Sequence, residues 1–167
     1  GLSDYSHPCQ ILADIFTLKE NLGKLSNKTI CWIGDYNNVL RSLIQTQHLY
    51  LFQLNIVMPK KILLKNKLNI NKNKHSKIKF TDNIKNGVMK SDCVMTDVWV
   101  SMGEKSSKKK SFFINYLVNN KLMKLAKKNA IFMHCLPAHR GEEIENEILE
   151  HHKSVVWDEA ENRLPVS

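Results

Sequence analysis

Side chains able to bind or activate a small molecule fall at a few short stretches of this sequence, each at the end of an apolar run. His134-Cys135 sets a thiol beside an imidazole just after Ala130-Ile131-Phe132-Met133, and Pro137 cannot continue a strand ladder. Such a thiol is reactive when its surroundings favour the thiolate, and otherwise it is a buried structural residue. Asp97 follows Cys93-Val94-Met95-Thr96 and offers a carboxylate that can either fix an ammonium group or close a turn on its own backbone. Asp35, Asn37 and Asn38 stand at a helix entrance, where backbone N–H groups favour an anion such as a carboxylate. Helix capping competes for Asp35 and Asn37, which leaves Asn38, one step inside, as the ligand candidate. His7 and Gln10 share the first turn of a helix opened by Pro8. Ser101-Met102-Gly103 reads as a mobile loop hinged at Gly103, and Lys108-Lys109-Lys110 as a solvated charge run.

The elements that must position these groups alternate regularly. A helix over Gln10 to Leu18 carries Ile11, Leu12, Ile15, Phe16 and Leu18 at helical spacing. The run Thr29 to Ile33 predicts a buried strand, and Val39, Leu40, Leu43 and Ile44 the apolar face of a helix. A strand over Leu54 to Val57, a polar helix over Lys60 to Asn73 and a short strand over Lys77 to Phe80 follow. Thr81-Asp82-Asn83 supplies a helix cap. The remainder reads as a strand at Cys93 to Thr96, a loop from Asp97 to about Lys110, a helix over Asn120 to Lys128 and a strand over Ala130 to Met133. Strand–helix alternation of this kind predicts an α/β fold: a doubly wound, Rossmann-like parallel sheet with helices on both faces. Ligands of such sheets bind outside the carboxyl ends of the strands, where the chemistry-bearing residues cluster.

Composition narrows the function. The 167 residues carry a net charge of +9, almost all from lysine, with arginine only at positions 41, 140 and 163. Nucleic-acid readers lean on arginine forks and stacking aromatics. Here lysine travels with asparagine and isoleucine, as in Lys65 to Lys74, so a nucleic-acid partner is not expected. No apolar run reaches the roughly 18 residues of a membrane span, and the first residues lack the order of a signal peptide. The expectation is a cytoplasmic protein with no membrane partner and four reduced cysteines. Cys9, Cys31, Cys93 and Cys135 lack metal-ligand spacing, so no metal site is predicted. Gly34 is not followed by the glycines of a dinucleotide turn, which argues against a nicotinamide or flavin cofactor.

Taken together, His7-Pro8-Cys9-Gln10-Ile11-Leu12-Ala13-Asp14, Gly34-Asp35-Tyr36-Asn37-Asn38, Asp97-Val98-Trp99-Val100-Ser101-Met102-Gly103, His134-Cys135-Leu136-Pro137 and Glu159-Ala160-Glu161-Asn162-Arg163 resemble the ornithine carbamoyltransferase family in type, order and spacing. The resemblance runs from about Ser6 to Arg163. It implies transfer of a carbamoyl group from carbamoyl phosphate to the side-chain amine of L-ornithine, giving L-citrulline and phosphate in arginine metabolism, with no cofactor. It further implies that His7 and Cys135 are catalytic, with His7 polarising the carbamoyl oxygen. His7, Gln10, Cys135, the Leu136 backbone and Arg163 would hold carbamoyl phosphate; Asn38, Asp97, Ser101 and Met102 would hold ornithine.

By the same resemblance, residues 1–23 form an inter-domain helix and the start of the domain, and residues 24–167 the ornithine-binding domain. The family's N-terminal domain, with its Ser-x-Arg-Thr phosphate loop, has no counterpart in this sequence, and lysine is a poor geometric substitute for arginine. The 167 residues alone are therefore expected to show little or no transfer activity. Family enzymes are homotrimers, mostly through that domain, which leaves the assembly of this chain open. Two alternatives stand beside the main reading: a truncated, non-catalytic amino-acid-binding domain, and carbamoyl transfer to a related amine.

Overall fold

Successive side chains of a strand point to opposite faces of its sheet, and the apolar residues of this chain are divided accordingly. In the computed structural model, which describes residues 7–100 and 107–164, five strands form one parallel sheet. They are β1 (Thr29–Ile33), β2 (Gln53–Val57), β3 (Ile78–Thr81), β4 (Cys93–Thr96) and β5 (Ile131–His134), in the order β3-β2-β1-β4-β5. Ile30, Trp32, Leu54, Ile56, Met95 and Met133 share a core with α1 (Pro8–Leu22) and α2 (Asn38–Tyr50), joined by α3 (Lys60–Lys65) and α4 (Lys67–Asn73). Cys31, Ile33, Val57, Val94 and Phe132 form a second core with α5 (Ile84–Val88), α7 (Asn120–Met123), α8 (Asn146–Leu149) and α9 (Val156–Glu161). The single turn α6 (Ser107–Lys110) precedes α7. The sheet is thus the doubly wound α/β arrangement that the alternation predicts.

Chain order reverses beside β1, which pairs with β2 on one side and β4 on the other. That switch point opens a crevice at the carboxyl ends of β1 and β4. Helix packing there is close. In α5, a Cβ added to Gly87 would lie 2.1 Å from Val57 Cγ2, so only glycine lets this helix approach β2.

Several elements differ from their expected bounds. Helix α1 begins at Pro8, which suits a first turn that needs no N–H there, and runs past Leu18 to Leu22 before Gly23 ends it at φ 71°. The expected helix over 60–73 is two helices, because Asn66 leaves helical geometry and turns its side-chain amide onto Ile62 O at 3.0 Å. The expected helix over 120–128 is only the turn α7. Beyond it, Leu125 O accepts from Lys90 N and Lys127 N donates to Ser91 O, which draws the backbone into the loop before β4. Strand β5 lies one residue later than expected, with His134 paired to Thr96 in the ladder.

Candidate functional site

The end of β1 is joined to the end of β4 by one side chain. Asn37 caps α2, its Oδ1 accepting from Leu40 N at 3.0 Å, while its Nδ2 donates to Asp97 Oδ2 at 2.7 Å. The other Asp97 oxygen accepts from Val98 N at 2.8 Å. Asp97 therefore closes a turn on its own backbone and at the same time holds a carboxylate over the switch point. Burial raises its pKa, opposed by His134, the Val98 N–H and the Asn37 amide. A buried carboxylate with lone pairs to spare is a receptor for an ammonium group. Asn38, the first residue of α2, is half-buried, its Oδ1 taking Val39 N at 3.0 Å.

The end of β5 is held from below. His134 is fully buried; its Nδ1 accepts from Leu136 N at 3.0 Å, so the ring proton lies on Nε2, which faces Glu143 Oε1 at 3.1 Å. That carboxylate also accepts from His139 N. The imidazole is thus a strut inside the turn, with its neighbour Cys135 at the edge of the crevice. Cys135 Sγ lies 4.0 Å from Thr96 O. Burial, together with the carboxyls of Asp97, Asp14 and Glu159, pushes its pKa well above that of an ordinary thiol. The surroundings are the reverse of those that make a thiolate, so at neutral pH this group is an S–H donor.

The first turn of α1 completes the arrangement. His7 N donates to Ser42 Oγ at 3.0 Å, and its buried Nδ1 has no hydrogen-bond partner among the described residues. Burial and the charge of Arg163 lower its pKa below 6.5, which leaves the imidazole neutral near pH 7. Gln10 Nε2 donates to Asp14 Oδ1 at 2.8 Å and to Glu159 Oε1 at 3.2 Å, and Glu159 Oε2 accepts from His134 N at 3.0 Å. Gln10, His134, Cys135, Leu136, Glu159, Ala160 and Arg163 line a cleft of about 20 Å³, room for roughly one water.

The structure therefore brings Gln10, Cys135, Leu136 and Arg163 to one cleft, and the charges of Asp97 and Arg163 act on His7 beside it. Ser101 and Met102, expected at the amino-acid end, lie outside the described residues. Two expectations are corrected. Asp35 does not cap α2; it pairs with Lys109 Nζ at 2.6 Å. The lysine run is not merely solvated, since Lys109 is largely buried in that pair and Lys110 meets Glu142 at 2.7 Å. Sequence reasoning assigned no role to Asp14, Glu143 or Glu159. The four-residue spacing of Gln10 and Asp14 is a signal that places them on one helix face, but no spacing relates either to Glu159.

His139, Glu142 and Glu143 bring three candidate metal-ligand atoms within 4.8 Å of one another, yet Glu142 and Glu143 are already engaged by Lys110 and His134. A larger cavity, about 440 Å³, lies at the amino-terminal end of β5 among Met123, Ala126, Phe132 and Ile148, away from all of these groups. No helix among the described residues is long and apolar enough to cross a membrane.

Comparison with known proteins places the chain among proteins of one family. Residues 26–167 match the family model of the aspartate/ornithine carbamoyltransferase Asp/Orn binding domain. The chain is 48% identical to an ornithine carbamoyltransferase of Mesorhizobium japonicum over 166 residues, 98% of this chain and 55% of that protein. It is 47% identical to one of Ruthia magnifica over 168 residues, 99% of this chain and 56% of that protein. Among solved structures, the ornithine carbamoyltransferase of Burkholderia thailandensis superposes with a TM-score of 0.86 at 40% identity, covering 99% of this chain and 53% of that one. That of Pyrococcus furiosus gives 0.83 at 37% identity, covering 98% and 55%. The chain spans about half the length of the curated relatives it matches.

Proposed function

Because this chain belongs to the aspartate/ornithine carbamoyltransferase family, we propose that it is the amino-acid-binding half of an ornithine carbamoyltransferase. The complete activity is carbamoyl transfer from carbamoyl phosphate to L-ornithine, giving L-citrulline and phosphate. The observation that carries the amino-acid end is the Asn37–Asp97 bond at 2.7 Å, which fixes a buried carboxylate at the switch point of the sheet. Asp97 receives the α-ammonium group of ornithine, and Asn38, Ser101 and Met102 complete its amino-acid end.

The reacting amine has an unperturbed pKa of about 10.4 if lysine is a guide, so the site must favour its neutral, nucleophilic form. A dry crevice does this by penalising the charge. Cys135, with its thiol pKa raised by burial, orients the amine through S–H and lone pair and does not serve as a thiolate base. As the amine attacks the carbamoyl carbon, negative charge grows on the carbamoyl oxygen. His7 and Arg163 are the groups placed to meet it, while Gln10 and the Leu136 backbone hold the carbamoyl nitrogen and the turn.

Phosphate is the weaker end of the site. Arg140 is engaged by Glu150 at 2.9 Å and Arg41 lies over the Tyr36 ring, which leaves Arg163 as the arginine at the cleft. The chain by itself is accordingly an ornithine binder with little turnover, and its site of action is the cytoplasm, where thiols stay reduced. Thermal unfolding in the presence of ligands tests this. Bound ligand stabilises by RT ln(1 + [L]/Kd), so L-ornithine raises Tm in a concentration-dependent way, and L-aspartate and putrescine do so far less. Equal shifts with all three, or a larger one with putrescine, would count against an ornithine site.

A further inference from the structure

Two carboxyl groups lie inside the protein against the Gln10 amide, and no described cation is paired with either. Asp14 is 0% and Glu159 1% exposed, and no described lysine, arginine or histidine forms an ion pair with either. Both accept from the same nitrogen, Gln10 Nε2, which holds them within a few ångströms of each other. Like charges that close in a dry interior cannot both ionise. One oxygen of the pair, Asp14 Oδ2, has no hydrogen-bond partner among the described residues, and a protonated Glu159 supplies the donor that oxygen needs. We propose that Asp14 and Glu159 are positioning residues that share one proton and hold the Gln10 amide in a single orientation, its carbonyl oxygen turned to the cleft to accept an N–H from a ligand.

The orientation follows from the donor inventory. An amide offers two N–H donors on one side and a carbonyl on the other, and a carboxylate offers only acceptors. With both N–H groups drawn to Asp14 and Glu159, the carbonyl is what Gln10 has left; the flipped amide would set oxygen against oxygen. Glu159 Oε2 meanwhile takes His134 N, so the same pair ties α1 and α9 to the strand that carries Cys135. The groups around the pair are uncharged or negative apart from Arg163. Asp97, Cys93 and Cys135 face it from β4 and the end of β5, and their charge, when present, opposes ionisation. Burial raises both, Asp14 to about 7 and Glu159 well above the ordinary carboxylate range. That the incoming N–H belongs to a carbamoyl NH₂ rests on the functional reading above; the shared proton and the amide orientation do not.

Carbon-detected NMR of the labelled full chain tests both parts in one titration from pH 4 to 9, following the Asp14 and Glu159 carboxyls and the Gln10 side-chain amide. The expected result is a first proton lost near pH 7 and the second retained by the pair at pH 8, with slow exchange of both Gln10 amide protons that ends as the second proton leaves. Asp14→Asn, which keeps a carbonyl for Gln10 Nε2 and sets an N–H in place of the unpartnered Oδ2 toward Glu159, preserves the slow exchange and makes it independent of pH. Glu159→Ala, if it folds, exchanges at least about tenfold faster. Two carboxyls titrating near 4 with freely exchanging Gln10 protons overturn the proposal, as does an Asp14→Asn variant with the pH dependence of the original. Ornithine binding measured on the same sample tests the functional reading separately. If ornithine fails to bind while the NMR signature is intact, the identity of the ligand falls and the pair stands.

Discussion

Removing the Asn37 side chain breaks two interactions whose costs can be separated. Asn37→Ala deletes the cap on Leu40 N, worth about 1 kcal/mol, and the bond to the buried Asp97 carboxylate, worth about 2 kcal/mol for a hydrogen bond to a charged group. The sum, about 3 kcal/mol, corresponds to a loss of roughly 6–12 °C in Tm for a chain of this size. Asn37→Ser keeps a capping oxygen but cannot reach Asp97, and loses about 2 kcal/mol of this. Asn37→Asp also keeps the cap but sets a second carboxylate against Asp97. At roughly 3 Å and an effective dielectric near 20 the repulsion is about 5 kcal/mol, relieved when one group takes a proton. Urea unfolding of the three variants at pH 5 and pH 8 reads these terms, and Asn37→Asp is expected to be far less stable at pH 8 than at pH 5. If Asn37→Ala costs under about 0.5 kcal/mol, or Asn37→Asp matches the original protein at pH 8, Asn37 does not restrain Asp97.

Gly87→Ala pushes a methyl against Val57 Cγ2 at 2.1 Å and is expected to cost about 1–3 kcal/mol as overpacking; a neutral midpoint in urea would mean that α5 shifts freely on β2. Alkylation by iodoacetamide at pH 7, followed by mass spectrometry, should modify Cys9 first and leave Cys31, Cys93 and Cys135 protected until the chain unfolds, since those three are buried with raised thiol pKa values. Rapid labelling of Cys135 would show a thiolate there. Stability should also depend on the Asp14–Glu159 pair. Asp14 titrates near 4 unfolded and at about 7 folded, so its contribution is complete below about pH 4 and is lost as pH rises to 7 and beyond. The span amounts to about 4 kcal/mol as an order of magnitude, and the difference in urea midpoint between the original chain and Asp14→Asn, followed across pH 4 to 8, should trace it. A pH-independent difference would contradict this.

The parallel sheet was legible because β1, β4 and β5 are short continuous apolar runs closed by Gly34, Asp97 and Pro137, and strands buried on both faces have no other sequence form. The residues at those strand ends were legible for the same reason: topology alone brings them together. Helix lengths were less so. Asn66 divides a helix by a side-chain bond to Ile62 O, and α7 stops because its following backbone finds partners at Lys90 and Ser91, contacts that no local pattern encodes. Asn37 read as a cap and is one, but its second bond spans 60 positions. Glu159 lies 149 positions from Gln10, and its burial reverses what an acidic residue in a polar helix suggests. Electrostatics completed the picture of Cys135, whose sequence left a reactive and a structural reading open; burial, with three surrounding carboxyls, makes it a protonated thiol at the edge of the crevice.

The central claim is that the carboxyl ends of β1, β4 and β5 form a receptor for the amino-acid end of ornithine. Isothermal titration calorimetry of the 167-residue chain with L-ornithine, beside Asp97→Ala, tests it most directly. The account predicts saturable one-to-one binding that Asp97→Ala weakens by at least about tenfold while circular dichroism shows the fold intact. Undiminished binding in Asp97→Ala, or no binding by the folded original chain at millimolar ornithine, would contradict it.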